Sequence, residues 1–208
     1  MKDLIIIGAG NVGAFIKYNI ELFNEKYNIV GFMDSDQDKI GSLFCDSAVF
    51  DMNYLTKIRL DNVCIVIAIA NPQIKKKIYA ELEPLNITFP NFISKNSWIS
   101  NSVNIGKGVI IYPGCSINYE TNIEDFVTIN MNCAIGHNVT VGSFSTLAPG
   151  VNLAGFTNLQ QGVNMGIGSC TKQQIIVGEN AIVGGQSMII HNVDANITVA
   201  GSPAKQIH

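Results

Sequence analysis

The chain has 208 residues, 47% of them hydrophobic and only 14% charged, with 13 Lys and Arg against 16 Asp and Glu for a net charge of −3. That length supports one large or two small domains with real cores. A typical soluble domain is about 25% charged, so the composition argues against a disordered chain or a coiled coil, and the lack of basic excess argues against a nucleic-acid-binding surface.

The one basic run, Lys75-Lys76-Lys77, is short and fits the wet face of a helix. No apolar stretch approaches the ~18 residues that a membrane span needs, and the four aliphatics after Met1-Lys2-Asp3 are too few for a signal-peptide core. Five cysteines, an odd number without a C-x-x-C pair, point to a reducing compartment. A cytoplasmic location is expected.

Leu4 to Ile7 is a continuous aliphatic run, as in a strand buried on both faces. Gly8-Ala9-Gly10-Asn11-Val12-Gly13 then opens a helical periodicity through Phe15, Ile16, Ile20 and Phe23. A second strand, Ile29 to Met33, ends at Asp34, about 20 residues past the glycines, completing a dinucleotide-type fingerprint. Glycines there let backbone N–H groups approach a phosphate or ribose at a helix N-terminus; they also suit a tight turn with no ligand. Val63 to Ala70 reads as a central strand, and Asn71-Pro72 as the start of a helix through Ile74, Ile78 and Leu82. Residues 1–92 are therefore expected to form a small Rossmann-like α/β domain of about four strands. Nothing after it resembles a second α/β half, so a nucleotide-like ligand fits better than a hydride carrier.

From Ile93 an aliphatic recurs every six residues: 93, 99, 105 and so on to Ile189. Sixteen of these seventeen positions are Ile, Leu, Val or Met, although those types make up only 63 of the 208 residues; the exception is Thr171. The next residue is often glycine, and four residues after each aliphatic stands a small or β-branched one. A six-residue period is the hexapeptide repeat of a parallel β-helix. Three hexads make one triangular coil, so residues 18 apart stack at the ~4.8 Å spacing of neighbouring strands. Asn104, Asn122 and Asn158 share one column. Cys115 and Cys133 also stack, within disulfide reach, although small inward core residues in a reducing cell are the plainer reading. The helix is expected over residues 93–194, with 195–208 as a C-terminal tail.

The histidines are His137, His191 and His208. The segments Gly8-Ala9-Gly10, Ala134-Ile135-Gly136-His137, Leu147-Ala148-Pro149-Gly150, Leu153-Ala154-Gly155 and Gly201-Ser202-Pro203-Ala204-Lys205, together with the hexads, resemble the bacterial sugar O- and N-acyltransferases of the NeuD/PglD type. The likeness covers essentially the whole chain. It implies a left-handed β-helix, a homotrimer with acetyl-CoA between neighbouring helices, no metal, and a nucleotide-linked amino sugar, UDP- or dTDP-linked, resting on the α/β domain. A sialic-acid-type O-acetyltransferase is the alternative acceptor chemistry.

The resemblance places the general base at His137 and the oxyanion-binding N–H at Gly155, which the 18-residue rule independently stacks on His137. For acetyl-CoA the matching positions are Thr146, Gly155, Ile167 and Gly185, with Lys205 near the cofactor's phosphates. For the nucleotide sugar they are Gly10, Asn11, Val12, Asp34, Ser35 and Ala70. Each also suits ordinary repeat packing or turn geometry.

Two positions depart from the family pattern. Asn138 stands where an Asp or Glu usually follows the histidine, and Thr146 where members often carry a second histidine. Glu120, 18 residues before Asn138, is expected one coil away and is the candidate source of the missing charge. Rival readings are a zinc-dependent carbonic anhydrase using His137, His191 and His208, a serine or small-molecule O-acetyltransferase, which would lack the front domain, a catalytically decayed nucleotide-sugar-binding trimer, and a redox-sensing dinucleotide-binding protein.

Overall fold

A computed structural model describes residues 1–23 and 26–207. The chain divides into two compact units, Met1–Ala70 with Ile74–Asn91, and Asn71–Gln73 with Phe92–His208.

In the first unit, β1 (Lys2–Ile7) leads through the glycine turn into α1 (Asn11–Tyr18), and β2 (Tyr27–Met33) follows. A short hairpin, β3 (Leu43–Phe44) and β4 (Ser47–Phe50), precedes β5 (Val63–Ile67) and α2 (Pro72–Leu82). The sheet has five strands in the order β3-β4-β2-β1-β5. Leu4, Ile5, Ile6, Ile65 and Val66 are fully buried, as their unbroken apolar runs predict for strands covered on both faces.

Three details differ from the sequence reading. β5 ends at Ile67 and is the last strand in the order rather than a central one, its outer edge met by a bridge from Cys64 to Thr88. α1 stops at Tyr18, and a 3₁₀ turn at Ile20–Leu22 continues its apolar pattern. Lys75 does not lie on a wet face: it is 1% exposed, while Lys76 and Lys77 are exposed.

The second unit is a left-handed parallel β-helix. Each of the seventeen register positions is the second residue of a two-residue strand, from Phe92–Ile93 to Met188–Ile189. These strands stack into three parallel sheets, with partners 18 residues apart such as Ile117 with Ile135 and Ile135 with Leu153. The first face runs from Trp98–Ile99 to Met188–Ile189, the second from Asn104–Ile105 to Ile176–Val177, and the third from Phe92–Ile93 to Ile182–Val183. The corner aliphatics and small residues such as Val127, Val139 and Val151 form one continuous core. Burying each aliphatic side chain is worth roughly 1.5–3 kcal/mol, repeated at every corner.

The tail is not separate from this body. Thr198–Ala200 extends the third face in parallel with Ile182–Val183, and Lys205–Gln206 pairs antiparallel with it. Phe92 likewise belongs to the helix, paired with Ile110. Cys115 and Cys133 are free thiols, bonded to the carbonyls of Asn130 and Ala148. Among the described residues no helix is long and apolar enough to cross a membrane.

Candidate active site

Every turn from Gly108 to Gln186 takes a left-handed residue three places after its corner aliphatic. At the edge between the first and second faces this column holds Glu120, Asn138, Phe156 and Gln174, with φ of 53°, 55°, 60° and 62°. The neighbouring column holds Tyr119, His137 and Gly155. The repeat therefore delivers two rows of side chains to one edge, each coil contributing one member of each row.

Those rows converge on His137. Its Nδ1 lies 2.9 Å from Asn138 Oδ1, and Asn138 Nδ2 donates to Glu120 Oε2 at 2.7 Å. An ionised carboxylate only accepts, so the NH₂ of Asn138 faces Glu120 and its oxygen faces the imidazole. That oxygen must receive Nδ1–H. The chain Glu120–Asn138–His137 thus selects the tautomer with the lone pair on Nε2.

Aromatic rings hold the imidazole as well. Tyr119 stacks on it with centroids 5.4 Å apart and an 11° interplanar angle, and Phe156 meets it edge-on at 5.0 Å and 90°. Both are about half exposed, Tyr119 at 46% and Phe156 at 52%. The sequence reading missed these two residues, although the 18-residue rule places Tyr119 in the column of His137 and Phe156 in that of Asn138.

Gly155 lies against the other side of the ring. A Cβ there would come within 2.8 Å of both His137 Cε1 and Nε2, so only glycine leaves room for the imidazole. Its carbonyl accepts from Gln174 N–H, whereas its own N–H has no acceptor among the described residues. In the neutral ring the Nε2 lone pair therefore lies against Gly155, whose N–H has no acceptor among the described residues, and base-assisted addition to a carbonyl requires such a base and such a donor.

The acetyl-CoA candidates lie elsewhere on the chain. Thr146 is buried in the middle of the third face, between Thr128 and Asn164. Ile167 and Gly185 stack at the edge between the third and first faces, and Lys205 sits exposed on the antiparallel strand of the third face. A single copy does not bring them to His137; only Gly155, common to both sets, does so. His191 occupies the His137 column three coils on, roughly 14 Å away at ~4.8 Å per coil, and His208 lies outside the described residues. Among the described residues no group of His, Cys, Asp and Glu could hold a metal ion.

In the α/β unit the predicted substrate residues gather at the carboxyl ends of the strands. A Cβ on Gly13 would collide with the Gly8 carbonyl, so α1 packs this closely on the β1 turn only because Gly13 has no side chain. Gly10 caps α1 without a side-chain bond, leaving the helix N-terminus open to an anion. Gly10, Asn11, Val12, Asp34 and Ala70 line a cavity of about 300 Å³. Ser35 and Asp34 line an adjoining one of about 280 Å³, walled by Met33, Met52, Ile74 and Ile78, with Lys77 and Glu81 also on its lining.

Asp34 accepts from Ala9 N–H at 2.9 Å and Asp36 N–H at 3.0 Å and pairs with Lys39 at 3.3 Å. Burial works against its charge, but these bonds outweigh burial and hold the carboxyl below its ordinary value. It remains an acceptor at the edge of both cavities, suited to a ribose hydroxyl.

Residues 3–82 match the PglD N-terminal domain family. GDP-perosamine N-acetyltransferase of Escherichia coli O157:H7 is 30% identical over 151 residues, an alignment covering 68% of this chain and 66%, about two thirds, of that relative. The PerB structure from Caulobacter crescentus, in complex with CoA and GDP-perosamine, superposes with a TM-score of 0.89 at 22% identity, over 100% of this chain and 98% of that one. The acetyltransferase domain of PglB from Neisseria gonorrhoeae FA1090, in complex with acetyl coenzyme A, superposes at 0.86 with 24% identity over 99% of both chains.

Fold and edge histidine together define a hexapeptide-repeat β-helix protein whose chain begins with a Rossmann-like unit. Residues 3–82 carry the PglD N-terminal domain, and along its length the chain resembles the NeuD/PglD-type bacterial sugar acyltransferases.

Proposed function

We propose that this chain transfers an acetyl group from acetyl-CoA to the amine of a nucleotide-linked amino sugar in the cytoplasm, with His137 as general base. The observation that carries the reading is the His137 tautomer: with Nδ1–H spent on Asn138, Nε2 is available beside the unused N–H of Gly155. The sugar amine gives its proton to Nε2 as its nitrogen adds to the thioester carbonyl. The Gly155 N–H receives the oxyanion, and the C–S bond then breaks as the departing thiolate takes the proton from His137. No acyl-enzyme is required.

The separation of Thr146, Ile167, Gly185 and Lys205 from His137 supports a homotrimer in which a neighbouring copy presents them, with acetyl-CoA lying between the two. In the α/β unit the open N-terminus of α1 suits the diphosphate and Asp34 the ribose. The sequence reading expects a UDP or dTDP sugar. The cavity's own polar groups favour guanine instead: Glu81 and Lys77, four apart on α2, line the same cavity and make no ion pair among the described residues. A carboxylate beside an ammonium matches a pairing edge of two donors and one acceptor, whereas uracil and thymine offer one donor between two acceptors. The relative named for a GDP sugar agrees with that choice.

The test is thiol release from acetyl-CoA with GDP-, UDP- and dTDP-linked amino sugars and with hydroxyl acceptors, repeated with His137→Ala. Turnover with an amino sugar that disappears in the variant supports the reading, and turnover with hydroxyl acceptors alone supports the O-acetyltransferase. Nucleotide-sugar binding without thiol release supports a decayed site. That second reading draws on Asn138, which brings no charge of its own to the histidine.

A further inference from the structure

Along the β-helix, the N–H after each corner aliphatic donates to the carbonyl of the corner residue one coil on, from Ser94 with Ile111 to Lys172 with Ile189. Ala154 breaks this run. Its N–H donates instead to the Thr171 hydroxyl at 3.1 Å, and the strand pairing there is reduced to Asn152 with Cys170. Thr171 is also the one non-aliphatic member of the seventeen-position register. The irregularity in the sequence and the irregularity in the ladder coincide, one residue before Gly155.

The proton positions in this cluster follow from its geometry. Thr157 Oγ1 lies 2.7 Å from the Ala154 carbonyl oxygen and 2.9 Å from Thr171 Oγ1. A carbonyl only accepts, so the Thr157 hydroxyl donates to it and its oxygen accepts from Thr171, which in turn accepts Ala154 N–H. The ring is fully satisfied, and both hydroxyls are buried. The Ala154 carbonyl and the Gly155 N–H belong to one planar trans peptide and point in opposite directions. Anchoring the carbonyl on the buried pair turns the Gly155 N–H away from that pair and polarises it as a donor.

We infer that Thr171, acting with Thr157, is a positioning residue that holds the Gly155 N–H in place as the oxyanion donor. The inference rests on the reading of His137 and Gly155 above. Valine already fills the equivalent corner at positions 141, 177 and 183, so Thr171→Val suits the fold; it takes away the hydroxyl that orients Thr157 and lets Ala154 N–H return to the regular ladder, which loosens the anchor on the Ala154–Gly155 peptide.

The experiment compares steady-state kinetics and thermal melts of the full-length protein with Thr171→Val, Thr171→Ser and Thr157→Val, using acetyl-CoA and the amino sugar turned over by the wild type. The valine variants are expected to lose about ten- to a hundredfold in kcat at unchanged KM for both substrates, and Thr171→Ser to recover most of it. Should Thr171→Val not fold, Thr157→Val tests the same peptide. Wild-type kcat in the valine variants overturns the inference and leaves the role of His137 standing. So does a rise in KM in place of the fall in kcat, or a loss that serine does not restore. A wild type that releases no thiol with any acceptor overturns the underlying reading and this inference together.

Discussion

Glu120 and Asn138, 18 residues apart, are joined by a 2.7 Å hydrogen bond from amide to carboxylate that decides which way the Asn138 side chain faces. An acceptor-only partner leaves Asn138 one orientation, and that orientation sets the proton on His137. In Glu120→Gln the new amide can donate as well as accept, so Asn138 can turn and offer its NH₂ to Nδ1. The expected outcome is a fall in kcat of about ten- to a hundredfold, milder than the ~10⁴ loss when a triad aspartate becomes asparagine. Unchanged turnover would remove Glu120 from the site.

Restoring the family's acidic neighbour alone is expected to fail. In Asn138→Asp two carboxylates would face each other where one hydrogen bond now lies, and like charges at that distance disfavour joint ionisation. Pairing the change with Glu120→Gln gives the new aspartate a donor. The double variant should turn over faster than either single one, and a double-mutant cycle on kcat with near-zero coupling would refute the linkage.

Gly155→Ala places a methyl within 2.8 Å of His137 Cε1 and Nε2. The ring must leave its position between Tyr119 and Gly155. A loss of about a hundredfold in kcat is expected, with the fold retained as judged by circular dichroism and gel filtration. Full activity in this variant would mean that Nε2 is not the reacting atom.

Because Ile167 and His137 lie at different edges of the helix, a site shared between copies predicts complementation. His137→Ala and Ile167→Glu proteins, each inactive alone, should regain a fraction of wild-type activity when co-expressed and purified as mixed assemblies. Absence of any recovery in assemblies shown to be mixed would argue that one copy supplies the whole site.

Lys75 gives a pH signature to the folded state. Burial pulls its ammonium down to about 7 from the ordinary 10.5, so between those values the unfolded chain binds more protons than the folded one. Stability therefore rises with pH across that window. Urea titrations at pH 7, 8.5 and 10 should show the rise, and Lys75→Met should flatten it. An equal slope in both proteins would contradict the assignment.

The six-residue register makes most of this architecture legible in the sequence. Aliphatics fill corners whatever their neighbours do, so periodicity alone located all seventeen strands, and counting by 18 brought Glu120 to Asn138 and Gly155 to His137. The α/β unit was less legible. The Leu43–Phe44 and Ser47–Phe50 hairpin carries no long apolar run, and β5 reads as central because burial on both faces looks the same at an edge that another segment covers. The burial of Lys75 is illegible for a related reason: a run of three lysines on a helix points to several sides, and a charge count cannot say which one faces inward.

The low charge and the hexad count by themselves determined a stacked solenoid behind a nucleotide-type turn, with one histidine at a coil edge, because these depend on period and composition. How that edge works is set by packing between coils. The Asn138 amide turns toward Glu120, two aromatic rings close on the imidazole, and Thr171 interrupts the ladder to clamp one peptide. Each is a hydrogen-bond direction or ring contact between different coils, which the repeat brings within reach and only packed coordinates orient.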